Sequence, residues 1–182
     1  MAKIHPELKD DLKDFIHKQH VFFVGTAMQD GRVNISPKGG DALRVISPTK
    51  IIWRNLTGSG NETATHLQHM NRITLMWCSF EGKPLILRCY GISKTYHERD
   101  EGFDEFNGLF PEHVGAMQIF EIEVETVQTS CGYAVPLLDI NADRDILDKW
   151  TNNRGRDGIK DYWQEKNLTS LDGVGTGILG EG

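Results

Sequence analysis

Cysteine is scarce in this chain: Cys78, Cys89 and Cys131 are the full complement, and none forms a Cys-x-x-Cys pair. That excludes a disulfide framework and argues against a cysteine zinc clip. Long apolar runs are missing too. No stretch approaches the roughly 18 apolar residues of a membrane-spanning helix. Positive charge is outnumbered, with 20 Lys and Arg against 26 Asp and Glu and a net charge of −6. A general nucleic-acid partner would need a basic face, so none is expected, although a single basic pocket for one anion remains available. The start of the chain, Met1 to Glu7, turns acidic at once and has no apolar signal core, so a cytoplasmic protein with no membrane partner is expected. Gly-Lys-Ser/Thr is absent, as is a third glycine at the dinucleotide-binding spacing. A nucleoside triphosphate is therefore not the expected ligand.

Within these limits the 182 residues, 38% hydrophobic and 25% charged, suit one globular domain with a sizeable core. The most informative stretch is Ile51 to Ala64. It reads as a buried strand, a Gly/Ser/Thr turn and the start of a helix. Ser59 and Glu62 have the spacing of a capping box, and Asn61 is an equally good cap. Small hydroxyls and unpaired N–H groups at a helix start make a site for a phosphate. The plainer alternative is that Gly58 and Gly60 only turn the chain and Ser59 only caps the helix.

Around this loop the pattern is mostly strands. Pro6 to Gln19 reads as an opening helix with Leu8, Leu12, Phe15 and Ile16 on one face. Val21 to Ala27 is a buried strand, closed by the turn at Asp30-Gly31, and Arg32 to Ser36 returns as its hairpin partner. Pro37 to Gly40 breaks that pattern. Leu43 to Ser47 and Lys50 to Asn55 form a further strand pair, followed by a short helix from Glu62 to Met70. Arg72 to Phe80 and Leu85 to Lys94 are long strands. Phe120 to Glu125 alternates strictly, a strand with one wet acidic face. Asp143 to Lys166 holds two helical stretches around Asp157-Gly158. The Gly/Ser/Thr-rich tail from Leu168 is disordered by default unless it docks on something. Six or more strands with hairpin connections favour a closed or nearly closed antiparallel barrel.

On this pattern the sequence resembles the pyridoxamine 5′-phosphate oxidase-related family of FMN-binding split β-barrels. The resemblance is carried by Val33 to Gly39, Ile52 to Thr63, Asn71 to Trp77 and Leu85 to Gly91. Cys131 to Pro136 and Lys166 to Gly173 resemble the C-terminal part of one subgroup. The resemblance implies a mainly β Greek-key split barrel with peripheral helices, forming a single domain over 1–182. Its barrel core lies at about 20–130, and a helical segment and tail follow at about 131–182. It also implies a homodimer with FMN at the dimer interface. The flavin contacts it assigns are Ser36, Pro37, Lys38, Arg54, Asn55, Ser59, Gly60, Asn61 and Thr63. Arg72 is a further candidate cation for the phosphate. Family members that oxidise pyridoxamine phosphate carry Ser-Arg-Lys where this chain has Ser59-Gly60-Asn61, which argues against that substrate.

The expected function is an FMN-dependent oxidoreductase acting on a small soluble substrate, with NAD(P)H a candidate donor. A module that only stores or senses FMN is the alternative, and a haem or deazaflavin barrel is a third reading. Trp53 and Trp77 are candidate ring-stacking residues, and Trp163 a candidate cover from the partner chain. His66 and His69 have a spacing that a metal could use, but nothing fixes a third ligand beside them.

Overall fold

The computed structural model describes residues 2–180. Eight strands form one antiparallel sheet: β1 (Lys3–His5), β2 (Val21–Thr26), β3 (Asn34–Gly39), β4 (Leu43–Ser47), β5 (Lys50–Leu56), β6 (Ile73–Cys78), β7 (Ile86–His97) and β8 (Ala116–Ser130). Four helices accompany them: α1 (Asp10–His17), α2 (Glu62–His69), α3 (Phe103–Asn107) and α4 (Ile146–Lys166). Among the described residues no helix is long and apolar enough to cross a membrane.

The strand order β3-β2-β6-β7-β8-β5-β4 puts β3 and β4 at opposite edges. Laid flat, seven strands would hold those edges about 29 Å apart. Yet only Gly40, Asp41 and Ala42 join Gly39 to Leu43, a link that spans at most about 15 Å. The sheet must therefore curl until its edges approach, and it does so as a barrel whose β3 seam stays unpaired. That is the expected split barrel. Strand β8 serves as its spine, pairing with β7 along one side. On the other side it pairs with β5 as far as Glu123 and with β1 from Val127 to Thr129. The change of partner coincides with a bulge at Tyr90/Gly91. A side chain at Gly91 would bring its Cβ within 1.9 Å of the Glu123 carbonyl oxygen, so the bulge requires glycine.

Alternation along the strands fills the barrel. Phe22, Val24, Ile51, Trp53, Leu75, Trp77, Leu87, Phe120 and Ile122 point inward into one buried cluster. Trp53 stacks on Phe120 at 4.6 Å, and Phe22 on Trp77 at 5.9 Å. Ile52, Tyr96, Phe103, Phe110 and Ile119 form a second cluster on the outer face, under α3. A third joins Met117 to Ile159, Trp163 and Ile178, fastening α4 and the tail to the barrel.

Several boundaries differ from expectation. The opening helix starts at Asp10 rather than Pro6, because Lys3–His5 pair with β8 and the next residues carry the chain across. Strand β3 runs through Pro37 and Lys38 instead of stopping before them. It is an edge strand, where a missing N–H costs little. The helical segment is interrupted at Gly155, the residue with φ 68°, rather than at Asp157-Gly158. Strand β8 extends well beyond the Phe120–Glu125 alternation, and α3 has no counterpart among the expected elements.

Candidate functional site

The unpaired seam of the barrel is where the expected phosphate loop lies. β5 ends at Leu56, and Thr57 to Asn61 lead into α2. Thr57 is held at both ends, its N–H and hydroxyl donating to the Gly115 carbonyl, while Trp163 Nε1 donates to its Oγ1 at 2.9 Å. Gly58, Ser59 and Gly60 are exposed, and Asn61 is buried. The expected capping box does not form. Asn61 is the N-cap residue and α2 has no side-chain cap, while Glu62 Oε1 accepts the Leu171 N–H at 2.9 Å. The N–H groups of the first turn of α2 therefore keep their positive end free of a protein side chain.

Two polar chains meet at this helix start. Lys38 Nζ donates to Asn55 Oδ1 at 3.4 Å, Asn55 Nδ2 to Gln118 Oε1 at 3.0 Å, and Gln118 Nε2 to Asn61 Oδ1 at 3.0 Å. Asn61 Nδ2 is buried and has no partner. From β3, Ser36 Oγ donates to Asn34 Oδ1 at 3.0 Å, and Asn34 Nδ2 to Thr63 Oγ1 at 3.3 Å. Behind Thr63, Thr26 Oγ1 and His66 Nδ1 lie 3.1 Å apart. The Lys38 ammonium sits over the Trp53 ring, and burial lowers its pKa. Strand β3 pairs only with β2, so one row of its backbone groups faces this seam unpaired.

The structure thus brings together Ser36, Lys38, Asn55, Ser59, Gly60, Asn61 and Thr63 from the expected set. It does not bring Arg54, Pro37 or Arg72 to them. Arg54 alternates with Asn55 and points to the outer face, where its Nη1 donates to the Pro111 carbonyl at 2.6 Å over the Phe110 ring. Pro37 faces outward on the edge strand. Arg72 lines an outer trough with Phe23, Val33, Ile35, Met76 and Tyr90. Trp53 and Trp77 belong to the barrel core, and Trp163 packs in its own chain against Met117 and Ile159. Of the two helix histidines, His66 is buried against Thr26 and His69 is exposed.

Sequence reading missed Gln118, and it included Asn34 only within the Val33 to Lys38 strand expected along the flavin ring. Asn34 was visible as a polar residue sharing the face of Ser36 and Lys38. Gln118 lies before the clear alternation of β8, and only the β5–β8 register puts it opposite Asn55.

The tail docks. Asn167 Nδ2 donates to the Gly58 carbonyl, Gln68 Nε2 to the Thr176 carbonyl, and Arg99 to the carbonyls of Gly177 and Ile178. Asp172 pairs with the Arg32 guanidinium and accepts the Arg32 backbone N–H at 2.8 Å. The strap so formed crosses from the Thr57–Asn61 loop to the β2–β3 hairpin.

A mainly antiparallel barrel left open at one seam, with a polar loop at that seam, defines the split-barrel class. The pyridoxamine 5′-phosphate oxidase family model matches residues 8–131. The pyridoxamine 5′-phosphate oxidase family protein ustO of Aspergillus flavus is 34% identical over 195 residues, covering 96% of this chain and 77% of its own. The chain belongs to the pyridoxamine 5′-phosphate oxidase family. Its fold is similar to that of a Lactobacillus delbrueckii protein provisionally described as a pyridoxamine 5′-phosphate oxidase. That match has a TM-score of 0.54 and 17% identity, and covers 68% of this chain and 94% of the other. HupZ of Group A Streptococcus gives a TM-score of 0.51 at 20% identity, covering 66% and 91%.

Proposed function

We propose that the seam binds FMN, with the flavin phosphate at the start of α2 and the ring along the free edge of β3. The observation that carries this reading is the uncapped first turn of α2, flanked by the unpartnered Asn61 Nδ2. Those groups suit a phosphate monoester, which carries close to two negative charges near neutral pH and is held by aligned hydrogen-bond donors. Ser59 and the Thr63 hydroxyl add to the set. Lys38 and the unpaired backbone of β3 suit the polar pyrimidine edge of an isoalloxazine ring.

A flavin held there would supply two-electron transfer, and the protein would orient it and exclude competing reactions. The function we assign is an FMN-dependent oxidoreductase for a small soluble substrate. We assign it as a homodimer, which places each flavin near a second chain. The open apolar trough of about 450 Å³ on the outer face, rimmed by Arg72 and Glu125, supports that assembly.

The purified protein should be yellow, and mass analysis of the extracted cofactor should return FMN. Ser59→Ala combined with Thr63→Ala should weaken FMN binding to apo-protein by about 1–3 kcal/mol; unchanged affinity would remove this loop from the site. Bleaching of the bound flavin by NADH or NADPH, with recovery in air, would support turnover. Flavin inert to every two-electron donor tried would favour the storage module.

A further inference from the structure

Lys38 sets the direction of every amide between it and α2. An ammonium group has hydrogens but no lone pair, so it can only donate. Asn55 therefore turns Oδ1 toward Lys38 and has only Nδ2 left for Gln118. Gln118 must accept through Oε1, which leaves Nε2 for Asn61 Oδ1. At the end of the line Asn61 has its oxygen engaged and Nδ2 unclaimed, in a side chain only 2% exposed. An asparagine at this position ordinarily gives its oxygen to the helix N–H groups. Gln118 takes that oxygen away, so the helix stays uncapped and the amide hydrogens remain.

The shorter chain has no such fixed end. Asn34 lies between the Ser36 hydroxyl on one side and the Thr63 and Thr26 hydroxyls on the other, and hydroxyls can donate or accept. Asn61 precedes the first residue of α2 and Thr63 is its second. The Lys38 line thus finishes as a donor at the helix start, beside backbone N–H groups of the same polarity. Aligned hydrogen bonds also polarise one another, which strengthens the terminal donor.

We propose that Gln118, acting through Asn61, is a positioning residue that makes the start of α2 a donor pocket for a phosphate monoester. It need not touch the ligand. The proposal rests on the phosphate placement above and deepens it, because the selectivity comes from fixed amide polarity rather than from a cluster of cations.

The test compares FMN with riboflavin, which has the same ring and no phosphate. Apo-protein is titrated with each for wild type, Gln118→Met, Asn61→Ala and the double variant. The expected result for Gln118→Met is a loss of about 10-fold in FMN affinity, the order of one charge-assisted hydrogen bond. Riboflavin affinity should move by less than about 3-fold, within the spread of a neutral hydrogen-bond change. Asn61→Ala should lose a similar factor, and the double variant no more than Asn61→Ala alone, since one residue acts through the other. Wild-type FMN affinity in Gln118→Met would overturn the proposal. So would equal weakening of FMN and riboflavin, or additive losses in the double variant.

Should Gln118→Met fail to fold, or should the wild type take no FMN, the same question is answered on wild-type protein with inorganic phosphate. The Asn61 side-chain NH₂ resonances should shift on titration while those of Asn55 and Gln118 hold still. A response confined to Asn55 or Gln118, or none at Asn61, would overturn the relay. A wild type that binds phosphate at Asn61 but refuses FMN would sink the flavin reading alone.

Discussion

His97 stands opposite Gln118 in the β7–β8 register, and its Nδ1 is buried without a partner. Burial, helped by the nearby Arg99 charge, lowers its pKa to about 4. The sign of the consequence follows from proton binding. Above about pH 6.5 the ring is neutral in both the folded and the unfolded chain, and it costs nothing. As pH falls from there toward 4, the unfolded chain takes a proton that the folded one refuses, so stability falls. The full loss is roughly 3 kcal/mol at one pKa unit per 1.36 kcal/mol. Denaturant unfolding at pH 7 and pH 4.5 should therefore show a smaller acid-induced loss in His97→Gln than in wild type. Equal losses in the two proteins would assign the acid sensitivity to other groups.

At the scale of elements, the C-terminal strap is the part whose state the sequence left open. Its Gly, Ser and Thr content lacks the apolar periodicity of a helix or strand. Its anchors are polar contacts from Arg32, Gly58, Glu62, Gln68 and Arg99, together with Ile178 packed against Met117, Ile159 and Trp163. One anchor depends on backbone space. Gly31 has φ 98°, and a Cβ there would lie 2.6 Å from Asp172 Oδ2. Gly31→Ala should therefore strain the hairpin and displace Asp172. Hydrogen–deuterium exchange should rise across residues 168–177 while the paired amides of β7 and β8 keep their protection. The melting temperature should fall only modestly, because an ion pair open to solvent is screened and contributes little. A uniform rise in exchange would mean that the hairpin, not the strap, had been lost.

The edge strand β3 makes the same point in the opposite sense. Pro37 and Gly39 read as breakers, yet the strand continues through them because only its β2 side needs partners. Its other side faces the seam. There a proline-interrupted row of backbone groups resists pairing with a further strand and stays open to a ligand.

For the whole molecule, the proposed assembly turns on the outer face of the sheet. Val33 and Ile35 are 70% and 68% exposed on β3 and the residues before it, beside Phe23, Met76 and Tyr90. A proposed second copy would cover this trough, and a carboxylate placed in it would be buried unpaired at a cost of several kcal/mol. Val33→Asp with Ile35→Asp should give a monomer by sedimentation velocity, with loss of bound flavin. A dimer of unchanged affinity would move the interface elsewhere.

Much of this protein was legible from local chemistry. Alternation located most of the strands, the Asp30-Gly31 turn located the first hairpin, and the Thr57 to Asn61 loop marked the helix start at the seam. These are signals carried by neighbours in the chain, through side-chain periodicity and backbone conformation. The resemblance added the split barrel and the family, which the family match and the fold agree with.

What only the tertiary structure decided are properties of register and facing. Arg54 and Asn55 are adjacent, and the pleat sends one outward to Phe110 and the other inward to Gln118. Gln118 meets Asn55 because two strands more than fifty residues apart share one register. The cap of α2 was decided by Gln118 and the strap, neither of which lies near it in sequence. Local patterns fix what a segment can form. Which hydrogen bond a polar side chain ends up making depends on partners that only the closed barrel brings within about 3 Å.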